Sequence, residues 1–237
     1  MARVRVGTSG WSYPEWIGRF YPNGTSPARM LEFYGRRFPT VEAHSTYRRL
    51  PTAATVARWR EQVPAAFRFV PKMHLGVTHR RDLDGVEDRV AAFVDAVAPL
   101  EEQLGPMLVS LPHREPDLGR LDRLLAALAA SPHGPPAAFD LGPAWASAEV
   151  YDRLDAAGAT VVVSDTAGTD VSVPTIGPVA YVRLRRDRYD RAELEGWADR
   201  LAKVCAEGRD VYAFLKHDEC GDGPRYARRL AAAVPEP

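Results

Sequence analysis

The chain has 237 residues, a normal length for one α/β barrel, with 46% hydrophobic and 26% charged residues. A chain of this size can bury roughly 70–75% of its unfolded surface, so it needs no disulfide or metal to fold. The 31 basic and 31 acidic residues cancel, which argues against a nucleic-acid or membrane-surface partner for the molecule as a whole. The longest apolar run, 124–130, is too short to cross a bilayer.

Cysteine content and the N-terminus indicate the compartment. Cys205 and Cys220 lack the spacing of a metal-binding pair and are too few for a disulfide framework. The first residues enter a strand without an apolar leader. We therefore expect a cytoplasmic protein. No linker or low-complexity run divides the chain, so residues 1–237 are predicted to form a single domain.

Apolar β-rich runs alternate with segments of helical period along the whole chain. The predicted strands are 4–8, 41–46, 67–74, 106–111, 137–141, 160–165, 179–185 and 210–216. Apolar residues at helical spacing follow each strand except the sixth. Representative pairs are Met30 and Tyr34, Val56 and Trp59, Val90 and Phe93, Leu121 and Leu125, Val150 and Leu154, Trp197 and Leu201, and Tyr226 and Leu230. The segment 166–178 has no such pattern, so one helix is expected to be short or missing.

Eight strands alternating with seven or eight helices predict a TIM-type (β/α)8 barrel. Strand 160–165 is nearly continuous valine, which is typical of a parallel strand covered on both faces. Ser26 before Pro27, and Asp117 before a leucine stripe, mark two helix starts. An open doubly wound sheet is the structural alternative.

In such a barrel the functional site lies at the carboxyl-terminal ends of the strands. Most predicted strands begin with apolar residues and end with polar ones. The number of polar residues at these ends is larger than a solvated rim requires. Glu42, His44 and Thr46 are spaced by two and are expected on one strand face, as are Arg183 and Arg185. Acids and bases that converge in a partly dry cavity shift one another's pKa values and can transfer protons or bind anions.

The candidate residues fall into two groups. The candidate catalytic residues are Glu42, His44, Lys72, Asp140 and Asp165. The candidate ligand-binding residues are Thr8, Ser9, Trp11, Ser45, Thr46, His79, Arg183 and Lys216. Lysine and arginine would clamp an anion while a carboxylate or His44 moves a proton. The predicted ligand is therefore a small anionic or phosphorylated molecule.

Each group also has a structural interpretation. Glu42 with Arg183 or Lys72 can be a buried pair that closes the interior, and His44 can be a hydrogen-bonded interior residue. The aromatic run that begins at Trp11 can be a packed loop. A Schiff-base role for Lys72 or Lys216 is a further alternative, since burial lowers the pKa of a lysine.

The histidines do not identify a cofactor. No recognised metal-binding spacing connects His74, His79, His113 and His217. A site assembled in space with Asp140 and Asp165 is an alternative that spacing alone does not test. The sequence therefore assigns no metal site, and the cofactor is unknown.

The opening segment contains Gly7-Thr8-Ser9-Gly10-Trp11-Ser12-Tyr13, followed by Trp16 and Phe20-Tyr21-Pro22. These residues resemble the start of the YecE-like family, domain of unknown function 72. Further similarities extend over essentially the whole chain, at Phe38-Pro39-Thr40-Val41-Glu42, Phe67-Arg68-Phe69, Thr78-His79, Leu111-Pro112, Asp165 and Tyr181-Val182-Arg183-Leu184. The resemblance implies a TIM-type barrel, in agreement with the strand count, and implies no particular reaction.

The chain departs from the family pattern at the predicted site. His44 stands where the family has Asn, and Arg185 stands where it has His. The segment after Asp140 is one residue shorter than in the family and lacks an Arg and a His. Either the substrate differs from that of the family or activity has been lost.

Three functions follow from these patterns. The first is an enzyme that hydrolyses or isomerises a small anionic or phosphorylated substrate. The second is a ligand-binding barrel without catalysis, motivated by the missing family residues. The third and weakest is a nucleic-acid-processing protein, which the zero net charge disfavours. The oligomeric state is left open.

Overall fold

The computed structural model describes residues 1–80, 84–111, 115–131, 134–166 and 176–235. The strands are β1 (Val4–Thr8), β2 (Thr40–Ala43), β3 (Arg68–Pro71), β4 (Met107–Ser110), β5 (Ala137–Asp140), β6 (Thr160–Asp165), β7 (Val179–Leu184) and β8 (Asp210–Leu215). The helices are α1 (Pro27–Gly35), α2 (Ser45–Arg48), α3 (Ala53–Gln62), α4 (Leu75–Thr78), α5 (Val86–Val97), α6 (Leu118–Ala129), α7 (Ala148–Ala156), α8 (Arg191–Ala206) and α9 (Asp222–Ala233).

All of these strands pair in parallel and form two sheets. Six strands lie in the order β1-β8-β7-β6-β5-β4, and β2 pairs with β3. Parallel bridges link the sheets on both sides, one between Ser9 and Glu42, and two on the other side, Phe69 with Leu104 and Lys72 with Leu108. The larger sheet follows chain order without a reversal point, unlike the doubly wound alternative. The structure thus confirms an α/β fold built on a curled parallel sheet.

Buried apolar residues form two separate clusters. The larger one fills the space between the strands and the helices, with Trp16, Phe93 and Trp197 among its fully buried side chains. The smaller one, here called the inner apolar cluster, comes from strands β3 to β8. Its members are Val70, Leu108, Ala138, Val162, Val179, Tyr181, Tyr212 and Phe214. Both faces of these strands are therefore buried, as expected for parallel strands.

Local sequence signals explain several helix boundaries. The Asp117 side chain accepts a hydrogen bond from the Arg120 amide and caps α6. Asp190 and Glu193 form a reciprocal capping box at the start of α8. The predicted start at Pro27 of α1 is also confirmed.

The predicted strand 41–46 is wrong in its second half. Strand β2 ends at Ala43, and His44 leads into the helical turn α2 instead. The Thr46 hydroxyl donates to the backbone oxygens of Ala43 at 2.8 Å and Lys72 at 2.7 Å, which holds the turn closed. Glu42, His44 and Thr46 therefore do not alternate along one strand face. The predicted strand 67–74 is likewise shorter, since β3 ends at Pro71 and His74 already caps the helical turn α4.

Two of the sequence-based predictions concern residues that lie wholly or mostly outside the described ranges. The segment 166–178, predicted to be irregular, falls mostly on residues outside the described ones, as does the candidate His113. Strands 4–8 and 160–165 have the predicted bounds. Within the described chain, no helix is both long and apolar enough to span a membrane.

Candidate functional site

A layer of polar side chains lies on the inner face of the strands, next to the inner apolar cluster. Residues two apart on a strand share a face, so the residues that follow Val70, Leu108, Ala138, Val162 and Tyr181 by two point the same way. These are Lys72, Ser110, Asp140, Ser164 and Arg183. Strand β2 adds Glu42. The inner polar cluster is defined as Ser9, Glu42, His44, Lys72, Ser110, Asp140, Ser164, Tyr181, Arg183 and Arg185.

Glu42 is the centre of this cluster and is fully buried. Its Oε1 accepts hydrogen bonds from the Tyr181 hydroxyl at 2.8 Å and from Arg183 Nε at 2.9 Å. Its Oε2 accepts from Ser9 Oγ at 2.6 Å and lies 2.8 Å from His44 Nε2. Further contacts to Oε2 come from the terminal nitrogens of Arg183 and Arg185, at 3.2 and 3.3 Å. Both carboxylate oxygens are thus fully occupied by donors.

The charge state of Glu42 follows from these partners. Burial alone would raise its pKa, but the guanidinium groups of Arg183 and Arg185 and the hydrogen bond from His44 hold that pKa well below its usual range. An ionised carboxylate with no free lone pair is a poor proton acceptor. Glu42 therefore positions the side chains of Arg183, Arg185 and His44. Its contacts favour the structural interpretation of the Glu42–Arg183 pair.

Arg183 connects Glu42 to the second inner carboxylate. Its terminal nitrogen pairs with Asp140 Oδ2, and Asp140 also accepts from Ser164 Oγ at 3.1 Å and from Ser110 Oγ at 3.3 Å. Burial would lower the pKa of Arg183, but Glu42 and Asp140 raise it above its ordinary value. Arg183 is therefore a permanent cation held between two carboxylates.

His44 is the inner group best suited to accept a proton. Burial lowers its pKa, the charges of Arg183 and Lys72 lower it further, and the interaction with Glu42 opposes them with a smaller effect. The ring is therefore neutral at neutral pH. Its Nε2–H donates to Glu42, so Nδ1 carries the free lone pair.

Lys72 has a different environment from the arginines. Its ammonium nitrogen lies 4.5 Å from the centre of the Tyr47 ring. Among the described residues, no carboxylate lies within ion-pair distance of that nitrogen. Burial lowers the pKa of Lys72, and the charge of Arg183 lowers it further, against the opposing effects of Glu42 and Asp140.

The formal charges of the inner polar cluster do not cancel. Lys72, Arg183 and Arg185 are cations, and Glu42 and Asp140 are anions, which leaves a net of one positive charge while His44 is neutral. Burial and the charge of Arg183 lower the pKa of Arg185, although Glu42 opposes them. The cluster therefore carries an excess of one formal positive charge.

Three predicted site residues face the helices instead. Thr8 donates to the backbone oxygen of Gly10 and contacts Tyr34 of α1. Trp11 packs edge-on against Trp59 of α3, at a ring distance of 5.4 Å. Asp165 follows the inward-facing Ser164 and so points outward. It accepts hydrogen bonds from Arg186 Nε and Trp197 Nε1, both at 3.1 Å. The structure does not bring these three residues to the inner polar cluster.

The remaining predicted residues lie around the rim. Ser45 is exposed, whereas Thr46 is buried and hydrogen-bonds only to backbone oxygens. His79 is exposed and lies 3.3 Å from the Tyr47 hydroxyl. Lys216 pairs with the exposed Asp187. Of the predicted residues, the structure therefore unites Ser9, Glu42, His44, Lys72, Asp140 and Arg183.

The predicted site omitted several residues that the structure brings to it. Tyr181 and Arg185 share the inner face of β7 with Arg183, and their spacing of two was the available signal. Tyr47 covers Lys72 from α2, a turn that the prediction treated in part as strand. Tyr13 donates to the Ser9 backbone oxygen at 2.7 Å, and burial and the charge of Glu42 raise its pKa to about 12.

A metal centre finds no support in the described side chains. In residues 1–80, 84–111, 115–131, 134–166 and 176–235, no group of three or more His, Cys, Asp or Glu side chains could hold a metal ion. Three members of the inner polar cluster, Lys72, Arg183 and Arg185, are cations that would repel a metal ion.

Parallel strands that end in a buried, net cationic polar cluster define this molecule as an α/β protein with its candidate site at the carboxyl ends of the strands. Residues 5–237 match the family model described as "Protein of unknown function DUF72". The chain belongs to this family, as its opening residues predicted.

Individual relatives agree with that assignment. UPF0759 protein YecE of Escherichia coli (strain K12) is 32% identical over 109 residues, which cover 46% of this chain and 38% of that protein. UPF0759 protein YunF of Bacillus subtilis (strain 168) is 28% identical over 100 residues, 40% of this chain and 34% of that protein. The chain thus matches less than half the length of these two relatives.

Two crystal structures are similar to the fold over almost the whole chain. A DUF72 family protein from Thermotoga maritima has a TM-score of 0.84 at 24% identity, covering 98% of both chains. A DUF72 family protein from Enterococcus faecalis V583 has a TM-score of 0.79 at 19% identity, covering 98% of this chain and 95% of that one. At these identities the likeness concerns the fold.

Proposed function

We propose that the protein is an enzyme that binds a small anionic substrate at the inner polar cluster, with Lys72, Arg183 and Arg185 holding the anion and His44 transferring a proton. The observation that carries this proposal is the unbalanced positive charge beside Lys72, whose ammonium group has no carboxylate partner among the described residues. An anionic ligand would supply that partner, with charge-assisted hydrogen bonds from the guanidinium groups.

The proposal places this site inside a closed eight-stranded barrel formed by a single domain. Support comes from the bridges that connect β1 to β2 and β3 to β4. It also comes from the inner apolar cluster, which lines one side of β3 to β8. In closed parallel barrels, substrates bind at the carboxyl ends of the strands, where the inner polar cluster lies.

The test is ligand-induced stabilisation with inorganic phosphate and a panel of carboxylated and phosphorylated metabolites. An anion at about 100 times its Kd is expected to raise the free energy of unfolding by about 2.7 kcal/mol. In Lys72→Met this stabilisation should be lost, because the cation without a carboxylate partner has been removed. The matched control is Lys203→Met, since Lys203 is exposed on α8, and there the stabilisation should persist.

A second control uses the predicted residue that the structure places elsewhere. Asp165→Asn should lower the free energy of unfolding by about 1–3 kcal/mol, because the charged acceptor of Arg186 and Trp197 is weakened. Anion binding should remain as in the unmodified protein. If no anion stabilises the protein, or if Lys72→Met responds like Lys203→Met, the proposal is wrong.

Ligand binding without turnover is the second candidate. It is favoured by the contacts of the two inner carboxylates, because Glu42 and Asp140 are both engaged by donors, which leaves His44 as the candidate general base of the inner polar cluster. Incubating each stabilising anion with the protein and analysing the mixture by mass spectrometry separates the two candidates. Product formation that is lost in His44→Gln supports the enzyme, and binding with an unchanged ligand supports the alternative.

A further inference from the structure

We propose that Lys72 is a nucleophile that forms an imine with the carbonyl carbon of a small molecule that also carries an anionic group. This inference rests on the proposed function, because the arginines of the inner polar cluster would hold that anionic group. It assigns a covalent role to a residue that otherwise serves only as one cation among three.

The position of Lys72 distinguishes it from the other two lysines of the chain. Lys203 is exposed on helix α8, and Lys216 pairs with Asp187. Lys72 follows β3 on the inner face, and its nitrogen lies under the Tyr47 ring at 4.5 Å from the ring centre. Only this amine combines partial burial with a place inside the inner polar cluster.

The surroundings of the Lys72 ammonium group make loss of its proton easier than in an exposed lysine, so that the nucleophilic amine is reached more readily. An ion pair with a carboxylate would hold the proton, and among the described residues the amine has none. Burial disfavours the ammonium form and the charge of Arg183 disfavours it further, while Glu42 and Asp140 oppose them and Arg185 adds a weaker like charge. Lysines are activated as nucleophiles by desolvation and by a neighbouring cation. The same two guanidinium groups can hold the carboxylate or phosphate of the substrate.

The covalent step balances without any oxidant or metal. The Lys72 nitrogen bonds to the carbonyl carbon, and the electron pair of the carbon–oxygen π bond moves to the oxygen, which takes up a proton. The nitrogen gives up a proton, and the proposed acceptor is the neutral ring of His44, which belongs to the same inner polar cluster. Return of that proton to the carbinolamine hydroxyl and loss of water then give the iminium ion, which is hydrolysed by the reverse path.

The test is reductive trapping with glyoxylate and sodium cyanoborohydride at neutral pH, followed by peptide mass mapping. Glyoxylate carries an aldehyde and a carboxylate, and reduction of its imine leaves a carboxymethyl group on the lysine. We expect Lys72 to be labelled several-fold faster than Lys203 and Lys216. Acetaldehyde is the control probe, because it has no anionic group for the arginines. Its preference for Lys72 should be smaller, and phosphate should slow glyoxylate labelling of Lys72.

A variant separates the covalent role from the anion site. Lys72→Arg keeps the positive charge but cannot form an imine, so phosphate should still stabilise this protein while labelling at position 72 is absent. Lys203→Arg is the matched control and should leave labelling of Lys72 unchanged. The labelling rates in the unmodified protein keep the test decisive if Lys72→Arg does not fold.

The outcomes distinguish this inference from the proposed function. If phosphate stabilises the protein but Lys72 is labelled no faster than Lys203, the imine role is wrong and the anion site stands. If Lys72 is labelled equally fast by both aldehydes and phosphate has no effect, the amine is reactive and the anion site is wrong. If neither stabilisation nor selective labelling is seen, both are wrong.

Discussion

Glu42 shows how the surroundings of one residue decide its role. A carboxylate at the end of a strand in a barrel is an obvious candidate for a general base. Here five neighbouring side chains donate to it or contact it, and its pKa lies well below the usual range because arginines outweigh the cost of burial. Its contribution is therefore to stability and to the placement of Arg183 and Arg185, which is testable through the pH dependence of unfolding.

The free energy of unfolding should report the depressed pKa of Glu42. A folded pKa below the unfolded one adds stability above about pH 4.3, and that stability is lost as the pH falls. Glu42→Gln should lower the free energy of unfolding by about 3–5 kcal/mol at neutral pH, because it leaves buried arginine charge uncompensated. The difference between the two proteins should shrink below about pH 4, as measured by urea titration across a pH series.

The matched control is Glu61→Gln, at an exposed position in α3. Its free energy of unfolding should follow that of the unmodified protein at every pH, since an exposed glutamate gains little on folding. If Glu42→Gln instead ran parallel to the unmodified protein across the acidic range, Glu42 would have an ordinary pKa in the folded state. The anchoring role would then be wrong.

At the scale of single elements, the approach of β1 to β2 depends on a glycine. A Cβ added at Gly7 would lie 2.2 Å from the backbone oxygen of Thr40 in β2. Gly7→Ala must therefore separate the two strands, and we expect a loss of about 1–3 kcal/mol in the free energy of unfolding. Gly196→Ala in α8 is the control, because no atom lies within 4 Å of the added carbon and alanine favours a helix by about 1 kcal/mol. Urea titration should give opposite signs, and two equal effects would contradict the close approach.

Element patterns also explain how much of the site could be predicted from the sequence. Strand alternation correctly placed Arg183 and Arg185 near each other, because both lie on one regular strand end. It misplaced Asp165, because a nearly continuous apolar strand does not reveal which of two neighbouring polar residues, Ser164 or Asp165, faces inward. The turn at α2 depends on a hydrogen bond from Thr46 to Lys72, which are distant in sequence, so local propensity could not predict it.

For the whole molecule, the family resemblance and the β/α alternation both predicted the architecture, and the family is confirmed. Whether the barrel is closed depends on the stability of the junctions between the two-stranded sheet and the six-stranded sheet. The backbone hydrogen bonds at these junctions include those from Gly10 to Glu42 at 2.9 Å and from Met73 to Leu108 at 2.8 Å. In a closed barrel both bonds are buried between strands, whereas in an open sheet they lie at fraying edges.

Amide hydrogen exchange distinguishes these two forms. In a closed barrel the Gly10 and Met73 amides should exchange only through global unfolding, as slowly as the amide of Val182 in the centre of β7. The Thr25 amide, which bonds to Pro22 in an exposed turn at 3.2 Å, should exchange orders of magnitude faster. Gly7→Ala should accelerate exchange at Gly10 more than at Met73, because only the first junction lies beside the substituted strand. Exchange of the Gly10 and Met73 amides at the rate of Thr25 would mean that the sheets separate in solution, and the inner polar cluster would then lack the enclosed surroundings that lower the pKa of Lys72.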